Sequence, residues 1–102
     1  MSFKKFRWSK VYESSEEELL ELLDIQGIEA ERWSAPEFHE FKHVAFDEET
    51  TLWCAEGSLT LTVENTPISM QPGDAIRIPA HHAFSAVAGM SGCACYEAVV
   101  VQ

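Results

Sequence analysis

From residue 28 onward, short runs of alternating or β-branched residues are separated at close intervals by Gly, Pro, Asn and Ser, a pattern typical of strands joined by turns. Over residues 59–63 apolar and polar side chains alternate, as a strand with one buried face requires. Turns are predicted at residues 65–66, 71–74 and 89–92. About seven or eight antiparallel strands follow from this spacing, and they close most readily as a barrel or a double-sheet jelly roll. An all-β fold is therefore predicted.

One helix is predicted ahead of this β-rich region. Ser14 and Ser15 stand before three glutamates; serine caps the free amides of a helix, and acidic residues suit its positive end. Leucines follow at helical spacing over residues 19–23, and Gly27 is a natural stop. With 102 residues the chain has the length of one domain. We expect residues 1–34 to form an N-terminal arm, the helix and the first strand, and residues 35–102 to form the barrel body.

The charge of the chain is strongly acidic, with 17 acidic against 7 basic residues and a formal net charge of -10. Such a charge repels nucleic acid and anionic membranes, so neither is an expected partner. Four of the basic residues, Lys4, Lys5, Arg7 and Lys10, lie within the first ten positions. This arm is expected either to be solvated or to dock on an acidic face of its own or of a neighbouring subunit.

The compartment is predicted from two further features. No apolar run approaches the ~20 residues of a membrane span, and the N-terminus lacks the apolar stretch of a signal peptide, so a cytoplasmic protein is expected. The three cysteines Cys54, Cys93 and Cys95 form no even disulfide framework. Cys93 and Cys95 would point the same way from one strand. Reduced thiols are therefore predicted.

Two sequence blocks resemble the conserved blocks of the cupins. The first is LWCAEG at residues 52–57, and the second is PGDAIRIPAH at residues 72–81. The resemblance covers residues 35–101 and implies a small single-domain, RmlC-like cupin, a jelly-roll β-barrel preceded here by the short helix. In this interpretation Gly57 permits a tight hairpin turn and Pro79 ends a strand.

The resemblance also implies where a metal would lie. Cupins commonly hold a divalent metal with two histidines and a glutamate from the first block and one histidine from the second. Counted from Gly57 and Pro79, these positions fall on Val44, Phe46, Thr50 and Phe84. All four usual ligands are therefore absent, and no cofactor is assigned.

Four histidines nevertheless lie close to the two blocks, namely His39, His43, His81 and His82. A strand bulge that moves the register by one residue would turn His43 inward and bring Glu49 near the glutamate position. His82 has the same strand parity as Phe84. A metal site of His43, Glu49 and His82 would suit zinc, nickel, iron or manganese. The alternative places the histidines at the barrel mouth or on the surface, beside acidic neighbours.

Strand parity also predicts an apolar ligand pocket inside the barrel, with one hydroxyl and one thiol. The residues predicted to line it are His43, Thr50, Leu52, Cys54, His82 and Phe84. A barrel filled by its own side chains has the same pattern. Arg77 alternates with two isoleucines and is expected to form an outward salt bridge, or else to anchor an anionic ligand.

Three functions remain open at this point. The first is a cupin that binds a small organic ligand in the barrel without the usual metal. The second is a metal-dependent enzyme, resembling an isomerase, lyase or dioxygenase, that uses displaced histidines at the barrel mouth. The third is a structural dimer module. A homodimer is expected because Trp53 and Ala55 are apolar on the face opposite the pocket, where a second subunit would cover them.

Overall fold

The computed structural model describes residues 3–9 and 15–101, and Lys10 and Ser14 lie outside them. Within these ranges one helix and seven strands follow one another along the chain. They are β1 (Lys4–Arg7), α1 (Glu16–Ile25), β2 (Glu31–Ala35), β3 (Glu40–Val44), β4 (Thr50–Val63), β5 (Thr66–Met70), β6 (Asp74–Ile78) and β7 (Phe84–Val99). The fold is therefore mostly β with one short helix, as the sequence predicts. No helix in the described ranges is long and apolar enough to cross a membrane.

The helix begins and ends where the local signals place it. Ser15 is the N-cap, and its hydroxyl oxygen accepts a hydrogen bond from the Glu18 backbone N–H at 3.2 Å. Leu19 and Leu23 are buried because they share the face that packs on the sheet. Gly27 follows the last turn with a φ of 68°, in the left-handed region that commonly ends helices.

All strand pairings are antiparallel, and two long strands run through the middle of the sheet. The order is β1-β6-β4-β7-β2, with β3 also paired to β7 and β5 also paired to β4. One half of β4 and β7 is thus flanked by β6 and β2, and the other half by β5 and β3. Over the described strands the sheet stays open at its edges. The antiparallel sheet is as predicted, but closure into a barrel is not confirmed.

Both long strands bend at glycines that the sequence analysis assigned to turns. Gly57 lies inside β4 and Gly92 inside β7, with φ of 70° and 72°. The β4–β7 register shifts on both sides of Glu56 and Gly57, which marks β-bulges. The predictions of a hairpin at Gly57 and a turn at 89–92 are therefore wrong. A glycine with positive φ suits a bulge as well as a turn, and here the chain bends without reversing.

The β4–β5 hairpin confirms the strand pattern and shifts its turn. Leu59 and Leu61 are buried whereas Thr62 is exposed, as the alternation predicts. The turn residues are Glu64 and Asn65, with φ of 49° and 67°, so the turn begins one residue earlier than predicted. Two successive positive φ values fit the two-residue turn whose twist matches a hairpin.

The described part of the basic arm, Lys4–Arg7, is docked on the sheet as strand β1 while its side chains remain exposed. Arg7 and Lys5 both reach the buried carboxylate of Asp74, at 3.0 and 3.6 Å. The Trp8 backbone N–H donates to the Gly73 carbonyl oxygen at 2.8 Å, and β1 pairs with β6 along its length. The turn at 71–74, which the sequence predicts, is thus the place where the arm is held.

Two apolar clusters lie on opposite faces of the sheet. The larger cluster takes residues from both halves of the long strands, so the sheet curves around it. Its buried members are Ala35, Leu52, Cys54, Leu59, Leu61, Met70, Ile76, Ile78, Phe84, Ala86, Ala88, Cys93 and Cys95. The smaller cluster lies between α1 and the sheet and consists of Leu19, Leu23, Trp53, Ala55, Ala75 and Tyr96.

The packing of the smaller cluster contradicts the argument from which the homodimer was predicted. Trp53 and Ala55 are only 5% and 2% exposed, because α1 of the same chain covers them. The expectation that a second subunit covers this face is therefore wrong. Tyr96 and Arg32 hold the helix there, since the Tyr96 hydroxyl and Arg32 Nε both donate to Glu16 Oε2, the latter at 2.8 Å. The homodimer itself stays a prediction.

Candidate functional site

Two of the four positions at which the cupin resemblance implies metal ligands, Phe46 and Phe84, belong to a cluster of aromatic rings. Phe46 and Phe84 have ring centroids 5.9 Å apart, and Val44 pairs with Phe84 across β3 and β7. Phe3, just before β1, packs edge-on against Phe84 at 5.9 Å. We call Phe3, Phe46 and Phe84 the aromatic plug. Phenyl rings offer no lone pair to a metal, so the plug replaces a ligand set by apolar packing.

Most of the predicted ligand pocket is core. Leu52, Cys54 and Phe84 are at most 6% exposed and belong to the larger apolar cluster. Thr50 is also buried, and its hydroxyl donates to the Glu48 carbonyl oxygen at 2.9 Å. The interior near these residues therefore resembles the filled barrel that the sequence left as an alternative.

The histidines are exposed and are not grouped with Glu49. A register shift does occur between Phe41 and Val44, yet it does not turn His43 inward, and this residue stays exposed with a φ of 52°. His82 is exposed too, and Glu49 Oε1 accepts a hydrogen bond from Arg77 at 3.2 Å. Across residues 3–9 and 15–101, no group of three or more His, Cys, Asp or Glu side chains is placed to hold a metal ion. The residues present do not fit the metal that the fold family implies.

Three thiols lie together in the core. Cys54 and Cys95 are opposite each other across β4 and β7, and all three cysteines are buried and free. Hydrogen bonding with Cys54 and Cys93, together with burial, raises the pKa of Cys95. A protonated, buried thiol is a poor nucleophile, so Cys95 serves core packing. Hydrogen bonding with Cys95 lowers the pKa of the neighbouring buried thiol of Cys93.

A groove of about 1250 Å³ lies at the end of the sheet where β4 begins and β7 ends. The arm and the C-terminal end of α1 form its other walls. Its lining residues are Phe6, Arg7, Trp8, Leu22, Gln26, Gly27, Ile28, Glu29, Glu31, Phe46, Asp47, Glu48, Thr50, Thr51, Trp53, Arg77, Glu97, Ala98, Val99, Val100 and Val101. Thr50 is the link between this groove and the predicted pocket. We call this groove at the strand ends the terminal groove.

The terminal groove extends around the strand ends, so both faces of the sheet contribute to it. Trp53 and Ala98 lie on the face under α1. Glu97 lies on the other face, because its register partner on β4 is Leu52, a member of the larger cluster. Arg77 lines the groove while bound to Glu49, as the outward salt bridge predicted for it requires.

Glu97 is the most perturbed carboxyl of the groove. Burial raises its pKa above the ordinary value, and the neighbouring charge of Glu31, its register partner on β2, raises it further. The buried indole N–H of Trp33 offsets part of this shift, although it does not reach hydrogen-bonding geometry. Sequence reasoning missed Glu97. Its signal was an acidic residue at the parity of Cys93 and Cys95 on an otherwise apolar strand face.

This raised pKa predicts a pH dependence of stability. Folded Glu97 binds its proton more tightly than unfolded Glu97, so stability falls as the pH rises from about 4.5 through the raised pKa. Glu97→Gln should remove that loss, making the variant slightly more stable than wild type at pH 7, by less than about 1 kcal/mol. Urea unfolding at pH 4 and pH 7 measures the difference. Glu37→Gln, at an exposed loop site, should show no such change, and an equal gain in both variants would contradict the assignment.

The comparisons with known proteins rest on structure alone. No protein-family model and no curated protein matches the sequence. A DUF861 family protein from Thermotoga maritima matches with a TM-score of 0.64 and 18% identity, covering 97% of this chain and 100% of that one. A cupin superfamily protein from Desulfitobacterium hafniense matches with a TM-score of 0.62 and 13% identity, covering 99% and 79%. At such identities the likeness shows the fold, and the chain has a cupin-type fold.

Proposed function

We propose that the protein binds a small organic molecule in the terminal groove, without the usual cupin metal. The observation that carries this proposal is the contrast between a packed interior and an open groove of about 1250 Å³. Sites for small organic ligands commonly have volumes of roughly 300–1000 Å³ and are lined by apolar and aromatic residues with a few polar groups. The groove is larger than this range, so a small ligand would fill only part of it. The proposal moves the ligand from the barrel interior, where the sequence predicted it, to the end of the sheet.

The groove has the mixed lining that such a ligand requires. Phe6 and Trp8 present apolar surface from the arm, and Trp53 lies at its floor. The ring of Trp8 is held in place because its indole N–H donates to the Cys54 carbonyl oxygen at 3.2 Å. A fixed aromatic wall loses little conformational entropy when a ligand packs on it. Thr51 and the charged residues of the groove supply polar contacts.

Filling the groove tests the proposal. Val99 lines it and is 49% exposed, so Val99→Trp adds bulk at the opening without disturbing the core. We expect a mixture of cationic, neutral and anionic benzyl compounds to shift the indole N–H signals of Trp8 and Trp53 in NMR spectra of the wild type. Val99→Trp should weaken that binding by about tenfold or more.

The matched control is Thr62→Trp, at an exposed position of β4 that does not line the groove. It should leave the binding unchanged. Shifts confined to the backbone amides of Leu61 and Phe84 would instead locate the ligand inside the barrel and contradict the proposed site.

Two observations support the absence of a metal, which is one part of the proposal. The aromatic plug offers no metal ligands, and His43, Glu49 and His82 do not form a group that could hold a metal ion in the described structure. Elemental analysis of the purified protein should find much less than one metal ion per chain. One tightly bound zinc, nickel, iron or manganese ion per chain would overturn this part and favour the metal-dependent enzyme.

A further inference from the structure

We propose that the terminal groove selects an organic cation, a small amine with an apolar or aromatic portion. This inference rests on the proposed function and adds the class of its ligand. The groove combines aromatic walls with carboxylates that outnumber its basic residues, five to two.

Both arginines of the groove already have carboxylate partners that lie outside its lining. Arg7 Nη1 is 3.0 Å from Asp74 Oδ1, and Arg77 Nη2 is 3.2 Å from Glu49 Oε1. Each guanidinium thus already has a carboxylate at ion-pair distance, and the buried Nε of Arg77 is a donor that these pairs leave without a partner in the described structure. An anionic ligand would have to compete with these existing ion pairs.

The groove carboxylates have no such partners. They are Glu29, Glu31, Asp47, Glu48 and Glu97. Within the described parts of the chain, none of the five takes part in an ion pair. The formal charge of -10 over the whole chain adds a field that attracts cations toward the opening.

Glu97 gives this negative groove a defined point of attachment. It faces Glu31 across β7 and β2, so two carboxylates stand side by side at the groove. Glu97 is partly buried and has no ion-pair partner in the described structure, and burial together with the charge of Glu31 raises its pKa. An ammonium group placed between Glu97 and Glu31 would compensate these charges through charge-assisted hydrogen bonds.

The apolar part of the ligand has a surface beside these carboxylates. Phe6 is 41% exposed and, with Trp8, forms the wall that the arm contributes. Aromatic faces also attract organic cations directly, which adds to the preference for an ammonium group over a neutral one. The groove therefore favours molecules that carry both features over a bare metal ion or an anion.

Three probes of one shape test the charge preference: benzylamine, benzyl alcohol and benzoate. Titrations followed by NMR should give the tightest binding for benzylamine, about tenfold tighter than benzyl alcohol, with benzoate weakest. The benzylamine affinity should fall at high salt, because the attraction between exposed charges is screened.

Variants locate the effect. The double variant Glu31→Gln/Glu97→Gln should weaken benzylamine binding about tenfold while leaving benzyl alcohol binding unchanged. Glu37→Gln removes one exposed carboxylate outside the groove and should change neither. Retained benzyl alcohol binding also shows that the double variant is folded at the groove.

The outcomes separate this inference from the proposed function. Groove binding with equal affinities for the three probes, or with benzoate tightest, would overturn the cation preference and leave the proposed function standing. Binding of none of the three would overturn both. Benzylamine binding that survives the double variant would overturn the assignment to Glu31 and Glu97.

Discussion

Gly57→Ala is expected to lower the free energy of unfolding by more than about 3 kcal/mol, the combined effect of overpacking and of a left-handed backbone. A Cβ atom at Gly57 would lie 2.1 Å from the Gly92 carbonyl oxygen and 3.0 Å from the Cys93 Cα. Both are backbone atoms of the paired strand β7, so no side chain can rotate away to make room. The residue also has a φ of 70°, in the left-handed region that is unfavourable for residues with a Cβ atom.

Gly27→Ala separates the two contributions. Gly27 has nearly the same φ, 68°, but nothing lies within 4 Å of its added Cβ. It should therefore cost only about 1–2 kcal/mol, the penalty for the left-handed backbone alone. Urea unfolding of both variants measures the difference. Equal losses would mean that β4 and β7 separate easily at this point and that the close approach carries little energy.

Phe84→Ala is expected to lower the free energy of unfolding by about 3–5 kcal/mol, the usual range for removing a buried phenyl ring from a core. Phe84 is 6% exposed and is the central ring of the aromatic plug, in contact with both Phe3 and Phe46. The two neighbouring rings would border a cavity after the substitution. Because they come from separate segments, they cannot easily close it together.

Phe38→Ala is the matched control, since Phe38 is 62% exposed and should lose less than about 1 kcal/mol. Thermal and urea unfolding provide both values. A loss at Phe84 no larger than that at Phe38 would mean that the plug is loosely packed and that the barrel interior can admit a ligand after all.

The parts of the fold predicted from sequence are those decided by local chemistry. The Ser15 cap, the stop at Gly27 and the alternation of Leu59 and Leu61 each depend on neighbouring residues, and each is confirmed. The role of Gly57 is not local, because a left-handed glycine fits a hairpin and a bulge equally well. Only the continuation of pairing between β4 and β7 decides between them.

The candidate site was less predictable for a related reason. Its walls come from β1, α1, β2, β4, β6 and β7 and from residues 46–48, and no short motif records that these segments meet. Parity alone predicted that Cys54 and Phe84 face the interior, and both are buried in the larger apolar cluster. Parity does not tell a packed interior from a pocket, because that depends on whether distant rings such as Phe3 fill the space. The sequence analysis considered a bulge that would turn His43 inward; the register does shift before Val44, but His43 is exposed there, as in the alternative that placed the histidines on the surface.

The docking of the arm has a consequence for how the chain folds during synthesis. Arg7 binds Asp74 across 67 positions of sequence, and β1 has its backbone partners on β6. When β1 leaves the ribosome, its partner strand has not yet been made, so β1 stays unpaired while most of the sheet is translated. Phe3 directly precedes β1, so Phe84 lacks one of its ring contacts until the arm docks. Such late, non-local pairing slows folding and prolongs the exposure of apolar surface in a nascent chain.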